Sequence, residues 1–315
     1  MLPKVYVDGH VGTTGLRIRE WLAGRTDVEV ITVPEAERKS PQARRELMAA
    51  ADVTVLCLPD DAAREAAGWA TDGGFKLIDA STAHRVAEGW VYGLPELGGR
   101  QREAIRAAAR VSNPGCYASA FILMAQPLVA HGLIETHAPL TIHALSGYSG
   151  GGRKLIERWE EGGLLSLPYE APYALGVVHK HIPEMRHYTG LMLEPQFVPA
   201  VGPFRCGMRV ELPLHEAIVR RTSAEAIWQV LRDSYAGAPF VRVLPLADAA
   251  QVDEGSLDPR ACNDTNRMDV HVLRHPSGHV LLVAILDNLG KGAAGVAIQN
   301  LNLMLGLDES SGLRA

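Results

Sequence analysis

Hydrophobic and polar positions follow two rhythms along this chain. Over the first 110 residues, short apolar runs recur at 4–8 (Lys-Val-Tyr-Val-Asp), 28–33, 52–58 (Asp-Val-Thr-Val-Leu-Cys-Leu), 76–79 and 110–112. The run at 52–58 is continuous rather than alternating, as expected of a strand buried on both faces of a parallel sheet. Helical stretches separate the runs. The first covers Leu16 to Ala23, and Pro59-Asp60-Asp61 opens another with an acidic N-cap. This alternation predicts a doubly wound α/β domain whose last strand is 110–112. A strongly apolar helix follows at 117–131, and the rhythm then changes. Runs at 140–145, 197–201, 206–212, 240–244, 268–274 and 279–287, several of them alternating, predict a largely antiparallel sheet in a second, α+β domain. Residues 287–305 read as a capped helix whose small residues permit close packing and which returns to the first domain. The expected organisation is a discontinuous first domain, 1–116 and 289–315, with 117–288 inserted.

Composition narrows the function classes. The 315 residues are 47% hydrophobic and 21% charged, with a net charge of −5, as in an ordinary globular protein able to bury full cores. Without a basic tract, nucleic-acid binding gains no support. The N-terminus runs straight into a strand pattern without a signal peptide, and no apolar run is long enough to span a membrane. The four cysteines are scattered, with neither CxxC nor metal-ligand spacing, so neither a disulfide framework nor a metal site is expected. Cys57 reads as a core residue inside a strand, Cys206 as the start of one, and Cys262 as part of a polar loop. A reduced, cytoplasmic chain is the expectation.

Four stretches carry candidate chemistry. Gly9-His10-Val11-Gly12-Thr13-Thr14-Gly15 stands between the first strand and the first helix. Glycines there let backbone N–H groups approach a pyrophosphate at a helix N-terminus, the context of a Rossmann-like dinucleotide site, although the spacing is GxxGxxG rather than GxGxxG. The second strand ends Thr32-Val33-Pro34, without an acidic residue at its tip for ribose hydroxyls, and Arg38-Lys39 soon follow. Two cations suit a 2′-phosphate and hence NADP, or form a solvated surface pair. Asp79-Ala-Ser81-Thr82-Ala-His84-Arg85 lies beyond the carboxyl end of a parallel strand, where such sheets bind ligands. Arg85 is the anion anchor there or a surface salt bridge.

The third stretch is Asn113-Pro114-Gly115-Cys116, at the end of the last parallel strand and just before the apolar helix. Unpaired N–H groups and the helix dipole favour a thiolate at such a position, and the thiolate is the nucleophile. The fourth is split between Ser146-Gly-Tyr-Ser149-Gly150-Gly-Gly-Arg153-Lys154, suited to a carboxylate or phosphate, and His179-Lys180-His181-Ile-Pro-Glu184. If the latter is extended, both histidines face one side and Lys180 the other.

Several stretches, in order over nearly the whole chain, resemble N-acetyl-γ-glutamyl-phosphate reductases of the shorter variety. They are Asp-Gly-His-Val-Gly-Thr-Thr-Gly, Asp-Ala-Ser-Thr-Ala-His-Arg, Tyr-Gly-Leu-Pro-Glu-Leu, Ser-Asn-Pro-Gly-Cys-Tyr, His-Lys-His-Ile-Pro-Glu and Asp-Asn-Leu-Gly-Lys-Gly-Ala-Ala-Gly. Ser119 stands where longer members favour Thr, and Met124-Ala125 departs from their small-then-aliphatic pattern. More distantly the chain resembles aspartate-semialdehyde and phosphorylating glyceraldehyde-3-phosphate dehydrogenases. The resemblance implies a dinucleotide domain with a catalytic and dimerisation domain, and a dimer or tetramer. It implies NADPH-dependent reduction of N-acetyl-γ-glutamyl phosphate to the semialdehyde, with phosphate release, in arginine biosynthesis. It further implies Cys116 as nucleophile and His179 as acid/base. Arg85, Asn113, Ser146, Ser149, His181 and Glu184 fall to the substrate, and Gly9, Gly12, Thr13, Thr14, Gly15, Arg38, Lys39 and Asn288 to NADP. The rivals are a related acyl-phosphate reductase, for aspartyl or aminoadipyl phosphate, and a non-catalytic NADP-binding sensor, which has no need of Cys116 and a histidine pair.

Overall fold

The apolar runs of the N-terminal third pair as parallel strands in the computed structural model, which describes residues 1–9, 12–162, 168–219 and 222–315. Two units divide the chain: 1–95 with 99–114 and 293–314, and 96–98 with 115–292 and Ala315. His10 and Val11 of the glycine turn lie outside the described residues.

The first unit runs β1 (Lys4–Asp8), α1 (Thr13–Leu22), β2 (Glu29–Ile31), α2 (Pro41–Ala50), β3 (Val53–Leu56), α3 (Asp60–Gly73), β4 (Leu77–Asp79), β5 (Val91–Tyr92), α4 (Gln101–Ala107) and β6 (Arg110–Ser112). Among the described residues the sheet order is β2-β1-β3-β4-β6-β5, parallel throughout. The period of two within β1 divides its side chains between two cores. Val5 and Val7 join Val53, Val55, Ile18 and Leu22 on one side, while Tyr6 joins Leu56, Met48 and Trp69 on the other. Burial on both faces is why these strands carry continuous apolar runs. The segment that follows the second unit adds Ala297, Ile298 and Leu301 to the first of these cores.

Local expectations need correction here. Helix α1 starts at Thr13 rather than Leu16, with Gly12 at its N-cap and no side chain capping it. Cys57 lies one residue past β3 rather than inside it, its N–H donating to Asp8 O at 2.7 Å. The N-cap of α3 is Pro59, not an acid. The carboxylate of Asp60 instead holds the Thr82 N–H at 3.0 Å and the Thr82 hydroxyl, so it fastens a neighbouring loop. The two-residue edge strand β5 carried no usable apolar signal.

The second unit begins with α5 (Cys116–Ala130), followed by β7 (Thr141–Gly147), α6 (Arg153–Glu161), β8 (Ala171–Pro172), α7 (Ile182–Thr189), β9 (Gln196–Gly202), β10 (Met208–Leu214), α8 (Glu216–Val219), α9 (Ala224–Ser234), β11 (Val241–Val243), β12 (Ala247–Asp248), β13 (Met268–Arg274) and β14 (Val280–Leu286). The order β11-β13-β14-β10-β7-β9-β8, with β12 also on β13, is antiparallel through its centre. It is parallel where β11 and β12 meet β13 and where β7 meets β9. The sheet is therefore mixed and mainly antiparallel, as expected. Cys206 precedes β10, which starts at Met208. Cys262 is fully buried with Leu273, Val283 and Ile285, despite its polar sequence neighbours.

Helix α5 is apolar all round because it is buried all round. Pro127 sits inside it, so Leu123 O has no i+4 donor. The buried Tyr235 hydroxyl, just past α9, donates to Leu123 O at 2.6 Å in its place. The chain returns to the first unit through a wide turn, Gly290–Ala294, and α10 (Gly295–Met304). The expected side-chain cap of that last helix is absent: Ala294 stands at its N-cap.

Candidate active site

The expected residues gather in both units. In the first, β1 ends at Asp8 and Gly9 turns the chain with φ +84°; a Cβ on Gly9 would lie 2.3 Å from Cys57 O. Only glycine fits that turn. Gly12 N–H returns to Gly9 O at 3.1 Å, and α1 begins at Thr13 with no acid in its first turn. The first-turn N–H groups of a helix with no side-chain cap are suited to an anion such as a pyrophosphate. Thr13, Thr14 and Gly15 all lie in that first turn.

Beside this turn the structure adds a residue that sequence reasoning missed. The buried Arg44 of α2 grips the buried Asp8 carboxylate, with Nε and Nη2 donating to Oδ2 at 3.0 and 2.8 Å. Its guanidinium also lies 4.8 Å from the Trp69 ring centroid. Tyr6 Oη donates to Asp8 Oδ1 at 3.2 Å, and burial together with the Asp8 charge pushes the Tyr6 phenol well up. Arg38 and Lys39 are exposed, and Arg38 Nη1 pairs with Glu35 at 2.8 Å.

At the end of β4, the fully buried Asp79 accepts from Ser81 N at 2.9 Å and Ser81 Oγ at 2.7 Å, and meets His84 Nδ1 at 2.6 Å. His84 stacks on Trp90 at 4.1 Å. Arg85 is no surface salt bridge: it is only 8% exposed and donates from Nε to Asn113 O at 3.0 Å. The Asn113 carboxamide is engaged at both ends: Nδ2 donates to Ala293 O at 2.9 Å, and Oδ1 accepts from Asn300 Nδ2 at 3.2 Å.

In the second unit Cys116 is the first residue of α5, with Gly115 at the N-cap. The buried Glu184 of α7 accepts the Gly115 N–H at 3.1 Å. The stretch before α7 is a turn rather than an extended strand, and the two histidines meet because the chain folds back. Their rings stand 4.7 Å apart and nearly perpendicular, and His181 N–H donates to His179 Nδ1 at 3.2 Å. With Nδ1 accepting, a neutral His179 carries its proton on Nε2. Nε2–H reaches the Tyr173 oxygen at 3.4 Å, and Tyr173 Oη donates to Tyr117 Oη at 3.1 Å.

Ser146 Oγ donates to Gly147 O at 3.1 Å. Burial, the neighbouring Tyr173 and then Cys116 hold the Tyr117 phenol well above its usual range, and the nearness of Ser146 pulls it down against these larger effects. Cys116, Tyr117, Ser146, Tyr173, His179, His181 and Glu184 thus form one cluster.

Ser149 and Asn288 form a second group. Asn288 Nδ2 donates to Ser149 Oγ at 2.9 Å, and its Oδ1 accepts Gly207 N at 2.8 Å. Cys206 Sγ lies 3.5 Å from Ser149 Oγ. Burial pushes the Cys262 thiol up to about 11, and burial with the Asp79 and Asp8 charges pushes the Cys57 thiol up to about 12.

The semialdehyde dehydrogenase NAD-binding domain matches residues 31–108, and the semialdehyde dehydrogenase dimerisation domain matches residues 116–288. The chain is 47% identical over 312 residues to N-acetyl-gamma-glutamyl-phosphate reductase 2 of Pseudomonas putida, covering 98% of this chain and 99% of the relative. It is 45% identical over 320 residues to the protein of the same name from Nostoc sp., covering 99% of each. The chain belongs to the N-acetyl-gamma-glutamyl-phosphate reductase family. Among solved structures, aspartate semialdehyde dehydrogenase II of Vibrio cholerae, complexed with ASA, superposes with a TM-score of 0.72 at 15% identity. It covers 97% of this chain and 99% of that one. The Candida albicans aspartate semialdehyde dehydrogenase with NADP gives a TM-score of 0.65 at 15% identity, covering 97% and 99%. At these identities the likeness is one of fold.

Within this reductase family chain, the residues that sequence reasoning missed are Tyr117, Tyr173, Arg44, and the buried Lys291–Glu96 pair at 2.7 Å. Tyr-Gly-Leu-Pro-Glu96-Leu and Gly-Lys291-Gly stand in the quoted stretches but lie 195 residues apart, and no local pattern links them. Among the described residues no helix is long and apolar enough to cross a membrane.

Proposed function

We propose that this chain reduces N-acetyl-γ-glutamyl phosphate with NADPH to N-acetylglutamate 5-semialdehyde, releasing phosphate. Near-full-length identity of 45–47% to reductases of that name supports the reaction. The observation that carries the mechanism is a thiol at the first position of a buried helix, in one cluster with a histidine pair.

Cys116 attacks the acyl phosphate, a C–S bond forms as the C–O bond to phosphate breaks, and the acyl group is held as a thioester. Backbone N–H groups at the start of α5 face the oxyanion of that step. Arg85 and the 79–85 loop are assigned to the phosphate, and Ser146, Ser149 and Glu184 to the rest of the substrate. When bound, NADPH would supply the hydride that reduces the thioester carbon. Gly9 and the first turn of α1 are shaped for its pyrophosphate: the turn excludes a Cβ, and no side chain caps the helix. Arg38 and Lys39 suit the 2′-phosphate, since β2 is followed by no acid before Glu35, and Asn288 is assigned to the nicotinamide by family likeness. A histidine protonates the alkoxide as hydride arrives, then takes that proton back as the hemithioacetal collapses to the aldehyde and the Cys116 thiolate leaves. Family likeness points to His179. The geometry favours His181 for the titrating role, because a second proton on His179 at Nδ1 would oppose the His181 N–H it now accepts. His179 keeps a hydrogen-bond-donor role from Nε2. The matched dimerisation domain supports a homodimer or tetramer, and the reading is of a cytoplasmic enzyme.

The test is reverse turnover by the purified chain with N-acetylglutamate semialdehyde, phosphate and NADP. Reduction of NADP should require phosphate or arsenate. Cys116→Ser should abolish turnover and leave NADP binding intact, and alkylation at neutral pH should label Cys116 ahead of Cys57 and Cys262. Turnover in the serine variant would remove covalent catalysis, and preference for aspartate semialdehyde would reassign the substrate.

A further inference from the structure

β14 does not pass directly into α10. Asp287-Asn288-Leu289 and the π-type turn Gly290–Ala294 lie between them. Single π-type turns recur at functional sites, because the extra residue displaces the backbone from regular helical register. This one is fixed at several points. Asp287 is fully buried; its Oδ1 accepts Leu289 N at 2.9 Å, its Oδ2 accepts Asp264 N at 3.0 Å, and its carbonyl accepts Gly290 N at 3.1 Å and Gly292 N at 3.0 Å. The side chains of Lys291 and Glu96 are both 0% exposed, with Nζ donating to Oε1 at 2.7 Å. The Lys291 ammonium also lies 5.8 Å from the Phe240 ring centroid.

The turn carries Gly292 against the nucleophile. A Cβ built on Gly292 would fall 2.6 Å from Cys116 Cβ and 3.2 Å from Asp287 O. The first distance is closer than side-chain carbons approach, and both atoms it involves are rigidly attached to backbone. Gly292 is therefore glycine because Cys116 occupies the space. A buried ion pair is weak evidence for stability, since an apolar pair of like volume often serves as well; its use lies in fixing geometry. Here the pair ties the turn to the 96–98 segment of the same unit.

We propose that Lys291, Glu96 and Gly292 act as a clamp that sets the orientation of Cys116: the ion pair locks the turn, and the bare Gly292 backbone packs against the base of the thiol side chain. These are positioning residues. Their catalytic consequence rests on the reading of Cys116 as nucleophile, whereas the orientation of the thiol does not.

Two variants test the clamp, Gly292→Ala and the double variant Glu96→Leu/Lys291→Met. For each, the pH dependence of Cys116 alkylation by iodoacetamide is read by mass spectrometry, beside melting temperature, NADP affinity, kcat and KM. Gly292→Ala should change the Cys116 alkylation rate at neutral pH by about fivefold or more and lower kcat by about tenfold or more, with NADP affinity and phosphate KM within about twofold. The double variant, which leaves no buried charge unpaired, should melt within a few degrees of wild type and move alkylation and kcat in the same direction. If Gly292→Ala does not fold, the double variant decides alone. A wild-type alkylation profile and kcat in either folded variant overturns the clamp. Retained turnover in Cys116→Ser would instead overturn the catalytic reading, and the alkylation profiles would still decide the clamp.

Discussion

Tyr235 and Pro127 offer a double-mutant cycle whose sign follows from backbone chemistry. Pro127 has no N–H, so the carbonyl one turn earlier, Leu123 O, would be an unpaired acceptor within the buried helix α5. Tyr235 Oη, 2.6 Å away and itself buried, supplies the hydrogen bond. Tyr235→Phe keeps the ring and removes only that donor. The cost is that of an unsatisfied buried carbonyl, about 1–3 kcal/mol. At roughly 2–4 °C per kcal/mol for a unit of this size, the melting temperature should fall by about 2–12 °C.

In a Pro127→Ala background the backbone regains an N–H at that position, which reaches Leu123 O along the helix. The same Tyr235→Phe change should then cost about 1 kcal/mol less, a coupling of the size expected for groups sharing one partner. Four melts, for wild type, each single variant and the double, give the coupling directly. An equal cost of Tyr235→Phe in both backgrounds would refute the reasoning, because Leu123 O would not be the shared partner. Since α5 begins with Cys116, the same variants should be assayed for turnover, and those that remain folded should keep it.

Arg85→Lys should raise the phosphate KM and lower the melting temperature, because Arg85 is buried and its Nε bond to Asn113 O would be lost at a cost of about 1–2 kcal/mol; a melt and a reverse assay separate the two roles, and an unchanged phosphate KM leaves Arg85 a structural residue. Replacing Arg38 and Lys39 together by Ala should weaken NADPH binding and spare NADH, with stability changed by less than about 1 kcal/mol since both are exposed and the Glu35 pair is a surface one; equal losses for both nucleotides in fluorescence titrations would move the 2′-phosphate site elsewhere. Burial holds the His271 imidazole below its usual value of 6.5, the Asp269 charge opposing that shift and the Arg242 charge adding to it. The unfolded chain then binds the proton first, so stability is intact above pH 6.5 and declines as the pH falls from there through the lower folded value. Thermal melts of His271→Gln should show a shallower acid decline than wild type over that window, and parallel curves would assign the decline to other groups.

Two kinds of cause, local and long-range, shape this chain. Local patterns are legible because their causes are local. Continuous apolar runs mark strands that must be covered on both faces, as Val5, Tyr6 and Val7 are by two separate cores. The glycine at position 9 marks a turn that no other residue fits. Gly115-Cys116 before an apolar run marks a thiol at a helix start. What sequence could not fix was burial and pairing at long separation. Arg85 read as an anion anchor or a surface salt bridge, but its burial and its bond to the β6 loop 28 residues away are set by the fold. The histidine pair was visible, but its closeness comes from a turn, and Tyr117 and Tyr173, 56 residues apart, join it only in the folded unit. Asp8 with Arg44 and Glu96 with Lys291 are matched charges with no shared period or spacing. Whether a charged side chain meets water or a partner depends on which strands pair and which loops fold over them, and that choice is made by the packing of the whole unit rather than by any window of sequence.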